Sequence, residues 1–214
     1  MSDIVSQIYD QIFKIWRPGR MKRFIALVNP RANETVLDVG GCPGFWAGAG
    51  LEINRIDALN TYPQPDALDQ TPPVKAMIGD GCNLPFPNGA YDIAFSNSVI
   101  EHVGDLAAQR RFADEIRRVG QRLWVQTPAF AFPIEPHCLM PFVHWIPWWK
   151  LRRLVLVVSP VKILRKGDKA DFYEGMRTTR ILTKAEFQSL FPDCKILTER
   201  FMGLPKCYIA YRLN

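Results

Sequence analysis

A chain of 214 residues with 48% hydrophobic and 22% charged side chains can bury a full core, and its composition excludes wholesale disorder. The formal charge of +6 admits an anionic partner, but the basic residues at 17–23, 150–153 and 162–169 lack the density of a nucleic-acid arm and read first as solvated surface. The five cysteines (Cys42, Cys82, Cys138, Cys194 and Cys207) are odd in number and form no CxxC pair, which argues against a disulfide framework or zinc site, predicts no bound metal and, with no signal-peptide pattern at the N-terminus, fits a reducing cytoplasm.

In chain order, residues 1–30 read as N-terminal helices. Apolar side chains recur at helical spacing from Ile4 to Ile15 and again from Phe24 to Val28, and Pro18-Gly19 separates the two stretches. Strand-like runs follow at Thr35–Val39, Arg55–Leu59, Lys75–Ile78, Tyr91–Ser96 and Arg122–Gln126, with a helix predicted over Leu106–Val119. Apolar strands alternating with helices imply parallel βαβ units with right-handed crossovers. After Thr127-Pro128 the rhythm is lost, and residues 129–180 read as a lid or substrate-binding insert rich in aromatic, proline and basic side chains. Leu182–Leu190 is predicted helical, with Thr183 as N-cap and Glu186 completing a capping box. Ile196–Arg200 and Cys207–Arg212 then form an antiparallel hairpin that closes the sheet. The whole chain reads as one α/β domain.

Within this frame the run Val36-Leu37-Asp38-Val39-Gly40-Gly41-Cys42-Pro43-Gly44 is a buried parallel strand ending in an acidic residue and a glycine-rich turn. That is the layout of a nucleotide-type binding loop at the carboxyl end of a first Rossmann strand. Without a Cβ, glycine lets backbone approach a ligand closely. Ile78-Gly79-Asp80-Gly81-Cys82-Asn83-Leu84-Pro85-Phe86 and Tyr91–Val103 follow at regular intervals.

These segments, with Glu115–Val119 leading into Leu123–Pro128, resemble the class I S-adenosylmethionine-dependent methyltransferases of the small type 11 kind. Their motifs there read VLDVGCGTG, GDAxxLPF and FDVVxSNxVLEHV. The resemblance spans about residues 20–128. It implies a Rossmann-like seven-stranded sheet, mostly parallel with a C-terminal antiparallel hairpin and helices on both faces, and it implies S-adenosylmethionine as cofactor. By the same resemblance, Asp38 receives the cofactor's ammonium, and the turn Gly40, Gly41, Cys42 and Gly44 runs under its methionine portion. Asp80, Gly81 and Cys82 meet the adenine, and Asn97, after the fourth strand, is a further cofactor-binding candidate. Two departures stand out. Cys42 replaces the family's middle glycine, followed by Pro43. The ribose carboxylate of the second strand is missing: Asp57 comes 13 positions after Gly44 and Asn60 comes 16 after, so either can face the ribose.

The acceptor side is read from fewer residues. Removing a proton from a hydroxyl acceptor needs a base, and the chain has three histidines: His102, His137 and His144. His137, just past the fifth strand, is the first candidate and His102 the second. Ser96-Asn97-Ser98-Val99 is not the Asp/Asn-Pro-Pro-aromatic motif of exocyclic-amine methyltransferases, and no cysteine follows Thr127-Pro128 as cytosine-C5 enzymes need. Both absences argue against nucleic acid. Tryptophans beside basic residues at 145–153 suit either an aromatic lid or peripheral contact with an anionic membrane. The expected activity is methyl transfer to a small-molecule, glycan or lipid-linked acceptor at oxygen, the alternatives being an RNA methyltransferase or, given Cys42 and Asn60, a non-catalytic cofactor-binding or scaffold protein; the oligomeric state is left open.

Overall fold

The computed structural model describes residues 19–137, 139–146 and 178–213. The helix expected over residues 4–15, and the part of the insert that carries Trp148, Trp149 and the basic residues after them, lie outside the described residues.

Five parallel strands form most of the main sheet: β1 (Val36–Val39), β2 (Ile56–Asn60), β3 (Val74–Ile78), β4 (Tyr91–Asn97) and β5 (Gly120–Pro128). A separate two-stranded hairpin, β6 (Ile134–Glu135) and β7 (Met140–Pro141), stands beyond β5. The antiparallel pair β8 (Lys195–Phe201) and β9 (Leu204–Arg212) completes the sheet in the order β3-β2-β1-β4-β5-β9-β8. The expected seven-stranded sheet with a closing hairpin is therefore present. All four residues of β1 are buried, as a central parallel strand covered on both faces requires.

Alternation along the strands divides the core into two layers. Leu37, Ala94, Leu123 and Val125 face helices α2 (Leu106–Val119) and α3 (Lys184–Leu190). Asp105 caps α2 by accepting from Ala108 N, and the Thr183–Glu186 capping box starts α3 as its sequence predicts. Val36, Ile93, Phe95 and Trp124 face the helical residues 19–28, termed α1, through Phe24. There Phe24 meets Phe95, Trp124 and Trp46 at ring centroid distances of 5.1, 5.6 and 6.1 Å.

One expectation is corrected. Among the described residues, β1 and β2 are joined by a single 3-10 turn, Pro43–Phe45, and residues 61–73 between β2 and β3 hold no helix. Pro43, Gly44, Gly48 and Gly50 on the first crossover, and Pro63, Pro65, Pro72 and Pro73 on the second, disfavour helix at those positions. Trp46, Leu51 and Ile53 fill the face that a crossover helix would cover.

Beyond β5 the chain is clamped. Ala129 bridges Leu182 in parallel, Phe130 N donates to Leu182 O at 3.1 Å, and Ala129 N donates to Lys206 O at 2.9 Å. Both ends of the interval 130–181 thus meet at the edge of the sheet.

Candidate functional site

Four adjacent strands, β3-β2-β1-β4, bring their carboxyl ends to one edge, and most of the residues singled out in the sequence gather there. β1 is the switch point, with β2 on one side and β4 on the other, where ligands bind in open α/β sheets. Gly40 has φ +79°, and a Cβ there would lie 2.5 Å from both γ-carbons of Val99, so the turn closes only on glycine. At Gly41 a Cβ would lie 1.8 Å from Asp38 Oδ2, because the Asp38 carboxylate is folded against the Gly41 backbone. Trp46 Nε1 donates to that oxygen at 2.7 Å. Asp38 is 1% exposed, and burial pushes its carboxyl up to about 7 against the opposing Trp46 bond. Cys42 is exposed, and no atom lies within 4 Å of where a Cβ on Gly44 would stand.

Asn60 and Asp57 are separated by the fold. Asn60 closes β2, donating from Nδ2 to Gly41 O at 3.2 Å and accepting from Thr61 N at 2.9 Å. Asp57 lies three residues earlier, paired with Leu37 and Lys75 inside the sheet. It accepts from Tyr91 Oη at 3.0 Å and pairs with Arg55 at 2.9 Å. Its carboxylate is therefore committed near the start of β4, and of the two residues it is Asn60 that stands at the carboxyl edge. Asp57→Asn is expected to leave affinity for S-adenosylmethionine within twofold while costing about 1 kcal/mol of stability. Asn60→Ala, by contrast, should weaken binding about tenfold, equivalent to about 1.4 kcal/mol. Calorimetric titration of both variants, with thermal melts, checks the pair.

Asp80 stands exposed past the end of β3, its Oδ1 accepting from Cys82 N at 2.8 Å. Gly81 is buried, and a Cβ there would meet Phe112 and Val39 within 3 Å. Cys82 Sγ lies 3.5 Å from Ala108 O. Asn97 is half-buried at the end of β4, paired with Gln126 of β5. Sequence reasoning missed Gln70, whose Nε2 braces the turn by donating to Pro43 O at 2.9 Å, and Ser96, whose hydroxyl donates to Val39 O at 2.9 Å.

The two leading histidines, far apart in sequence, are brought together. His102 ends the 3-10 turn Ile100–His102 after β4, and His137 lies in the connection between β6 and β7. Their Nε2 atoms face each other at 3.0 Å with the rings 84° apart. Glu135 orients His137, accepting from its Nδ1 at 2.5 Å and from its backbone N at 2.8 Å. Thr179 Oγ1 lies 3.2 Å from His102 Nδ1. Beneath them, Glu101 is 0% exposed and accepts from Thr127 Oγ1 at 3.1 Å through Oε2. Burial drives the His102 pKa down to about 4, with the charge of His137 adding and that of Glu135 opposing. For His137, burial works against the cation, yet the bond and charge of Glu135 outweigh it and the pKa is raised. Burial raises Glu101 to about 7. Glu135, Glu101 and Thr179 carry no mark of this in the sequence, because their roles depend on contacts between distant segments.

The pair is tied to both neighbouring regions. His102 N donates at 2.8 Å to the carbonyl of Val99, the residue packed on Gly40. On the other side a cavity of about 420 Å³ opens between the β6–β7 hairpin and residues 179–186. Phe130, Val143, Ile146 and Ile181 give it apolar walls, and Glu135, Thr179 and Arg180 supply polar groups. Its size is that of a small-molecule site. His144, the third histidine, lies on the same cavity, its Nε2 2.9 Å from Phe130 O. Of the aromatic stretch, Phe142 and Trp145 are 49% and 46% exposed. Among the described residues no helix is long and apolar enough to cross a membrane.

Comparison with known proteins agrees with the layout. A family model described as a methyltransferase domain matches residues 37–122. A curated relative from Mycobacterium sp. (strain JLS), named an uncharacterized methyltransferase, is 37% identical over 75 residues, 33% of this chain and 29% of its own. One from Mycobacterium avium (strain 104), similarly named, is 33% identical over 95 residues, 42% of this chain and 34% of its own. The chain thus spans about a third of the length of the curated relatives it matches. Among solved structures, a protein from Pyrococcus horikoshii OT3 superposes with a TM-score of 0.57 at 14% identity, covering 98% of this chain and 92% of that one. Magnesium protoporphyrin IX methyltransferase from Synechocystis PCC 6803, solved with bound SAH, gives 0.55 at 11% identity, covering 96% and 82%. At such identities the likeness is one of fold.

Proposed function

We propose that the chain, whose residues 37–122 match a methyltransferase-domain model, is an S-adenosylmethionine-dependent methyltransferase of the type 11 kind, and that it transfers the cofactor's methyl group to a hydroxyl of a small-molecule, glycan or lipid-linked acceptor. The observation that carries the acceptor half is the His102–His137 pair, set between the glycine turn and the apolar cavity. When bound, the cofactor supplies an electrophilic methyl on a sulfonium, and this displacement requires mainly positioning and a way to remove the hydroxyl proton. The Glu135–His137–His102 chain is the device for that proton, and the described residues lining the cavity beyond β5 form the acceptor side.

The carboxyl edge fits the cofactor. Asp38, buried against the turn, is matched to an ammonium; Asn60 offers a donor and an acceptor to ribose hydroxyls. Asp80, Gly81 and Cys82 are the groups for the adenine end, with Asn97 a further cofactor contact. A cationic neighbour favours the Asp38 anion, whereas burial in the free chain holds the carboxyl at about 7. Cofactor affinity should therefore rise by up to about tenfold per pH unit from roughly pH 5 to 7 and level off above. In the unliganded chain the trend is opposite. The unfolded Asp38 ionises near 4 and the folded one near 7, so stability from this group falls as pH rises across that window. Calorimetry from pH 5 to 8, with Asp38→Asn flattening the affinity profile, checks the sign.

The reaction is tested by incubating the protein with methyl-labelled S-adenosylmethionine and a cell extract, then separating small-molecule, lipid and RNA fractions. Label is expected in the first two. Label confined to RNA would overturn the acceptor class, and no cofactor binding at millimolar concentration would overturn the reading altogether.

A further inference from the structure

We propose that Glu101, His102 and His137 bind one divalent transition-metal ion, and that this ion holds the acceptor oxygen during methyl transfer. The binding claim stands on ligand geometry alone. The catalytic claim rests on the methyl-transfer reading above.

One ligand atom from each of the three residues lies within 4.8 Å of the other two. Two imidazole nitrogens about 2.0–2.1 Å from one ion, roughly 90–110° apart as seen from it, lie about 2.9–3.4 Å from each other; the two Nε2 atoms here are 3.0 Å apart. A shared proton would also hold them at that distance, but it leaves the third group unexplained. Glu101 Oε1 is buried and has no hydrogen-bond partner among the described residues, while Oε2 accepts from Thr127. A buried carboxylate oxygen left over beside two converging imidazoles is the donor that an ion would take up. The outer nitrogens point the same way. His137 Nδ1 is held by the carboxylate of Glu135, and His102 Nδ1 lies against Thr179 Oγ1, the outer contacts that orient metal-ligating histidines and fix which nitrogen faces the ion.

Two imidazoles and one carboxylate suit zinc, iron, cobalt or nickel better than magnesium or calcium, which prefer all-oxygen sites. Three protein ligands leave a position open, as catalytic zinc sites do, and the exposed edge of His102 leaves the cluster within reach of a small molecule. An acceptor hydroxyl bound there loses its proton to solvent, because a divalent ion stabilises the alkoxide; with both Nε2 atoms on the ion, the two histidines then serve as its ligands in place of the proton-accepting role they have in the metal-free chain. The O–H bond breaks, a C–O bond forms, and the C–S bond of the cofactor breaks with its electron pair left on sulfur. The metal keeps its oxidation state. Cysteine spacing predicted no metal, and these ligands come from segments 35 residues apart, so local spacing could not reveal them.

Untagged protein stripped with chelator is titrated with Co(II) and with Zn(II). One equivalent of Co(II) is expected to bind and to give the visible absorption of an imidazole-ligated ion, displaced by Zn(II). His102→Ala, His137→Ala and Glu101→Gln should each weaken binding at least tenfold while S-adenosylmethionine still titrates normally; His144→Ala should not. Wild-type protein that takes up neither metal, or variants that bind as tightly as wild type, would overturn the site. Should the variants fail to fold, X-ray absorption of the zinc-loaded wild type decides: imidazole scattering supports the site and its absence overturns it. Stoichiometric metal with no methyl transfer to any fraction would leave the site standing and remove the methyl-transfer reading. Transfer undiminished in the stripped protein would remove only the ion's catalytic role.

Discussion

Trp46→Ala is expected to lower unfolding free energy by about 4 kcal/mol, near the middle of the range for truncating a buried tryptophan. Trp46 is 0% exposed and packs edge-on against Phe24, Phe45 and Phe95, at 4.8 Å from the last. It occupies the face that a crossover helix would otherwise cover, packed among Phe24, Leu51, Ile53 and Phe95. Its indole also supplies the bond to buried Asp38, and losing that bond leaves the carboxyl with less compensation, a further cost of about 1–3 kcal/mol. For a chain of this size each kcal/mol lowers the melting temperature by about 2–4 °C, so calorimetry should show a fall of roughly 8–16 °C or more. Trp46→Phe separates the two contributions: it keeps most of the volume and loses only the donor. If that variant melts with the wild type, the Asp38 bond contributes nothing and packing is the whole effect.

His137→Ala is expected to reduce kcat by about 10²–10⁴, the usual range for losing a proton-handling group, with the dissociation constant for S-adenosylmethionine unchanged within twofold. His102→Ala should give a similar loss, and the double variant little more than either single, because groups acting as one unit are not additive. Glu135→Gln keeps the hydrogen-bonding shape but removes the charge that holds His137, so an intermediate loss of about tenfold follows. These outcomes are read by single-turnover assays with labelled cofactor. A His137→Ala enzyme with wild-type kcat would remove the pair from the mechanism.

Strands and helices were legible where burial leaves a local mark. Val36–Val39 reads as a covered parallel strand because all its side chains are apolar or, like Asp38, turned under the loop. The Thr183–Glu186 box was visible from two residues three apart. The short crossovers were half visible: thirteen positions from Gly44 to Asp57 leave little room for a helix. What could not be read was that Trp46 takes its place, since that depends on α1, a helix earlier in the chain. An acid in the second strand draws attention, and Arg55, just ahead of β2, is the sequence's own sign that Asp57 has a local ion pair. His102 and His137 were each picked out for their chemistry. Their meeting at 3.0 Å is set by the β6–β7 hairpin and by residues 178–183, whose geometry leaves no periodic trace.

The clamp of Ala129 on Leu182 ties the interval between them at its root, and the entropic cost of closing a chain segment rises by only about 0.6 kcal/mol for each doubling of its length. Insertions or deletions within that interval are therefore expected to leave β5, α3 and the carboxyl edge of the sheet in register. The family match ends at residue 122, ahead of the clamp. The clamp thereby makes the interval after β5 a place where length can change without moving the strand ends that carry Asp38, Asn60 and Asn97.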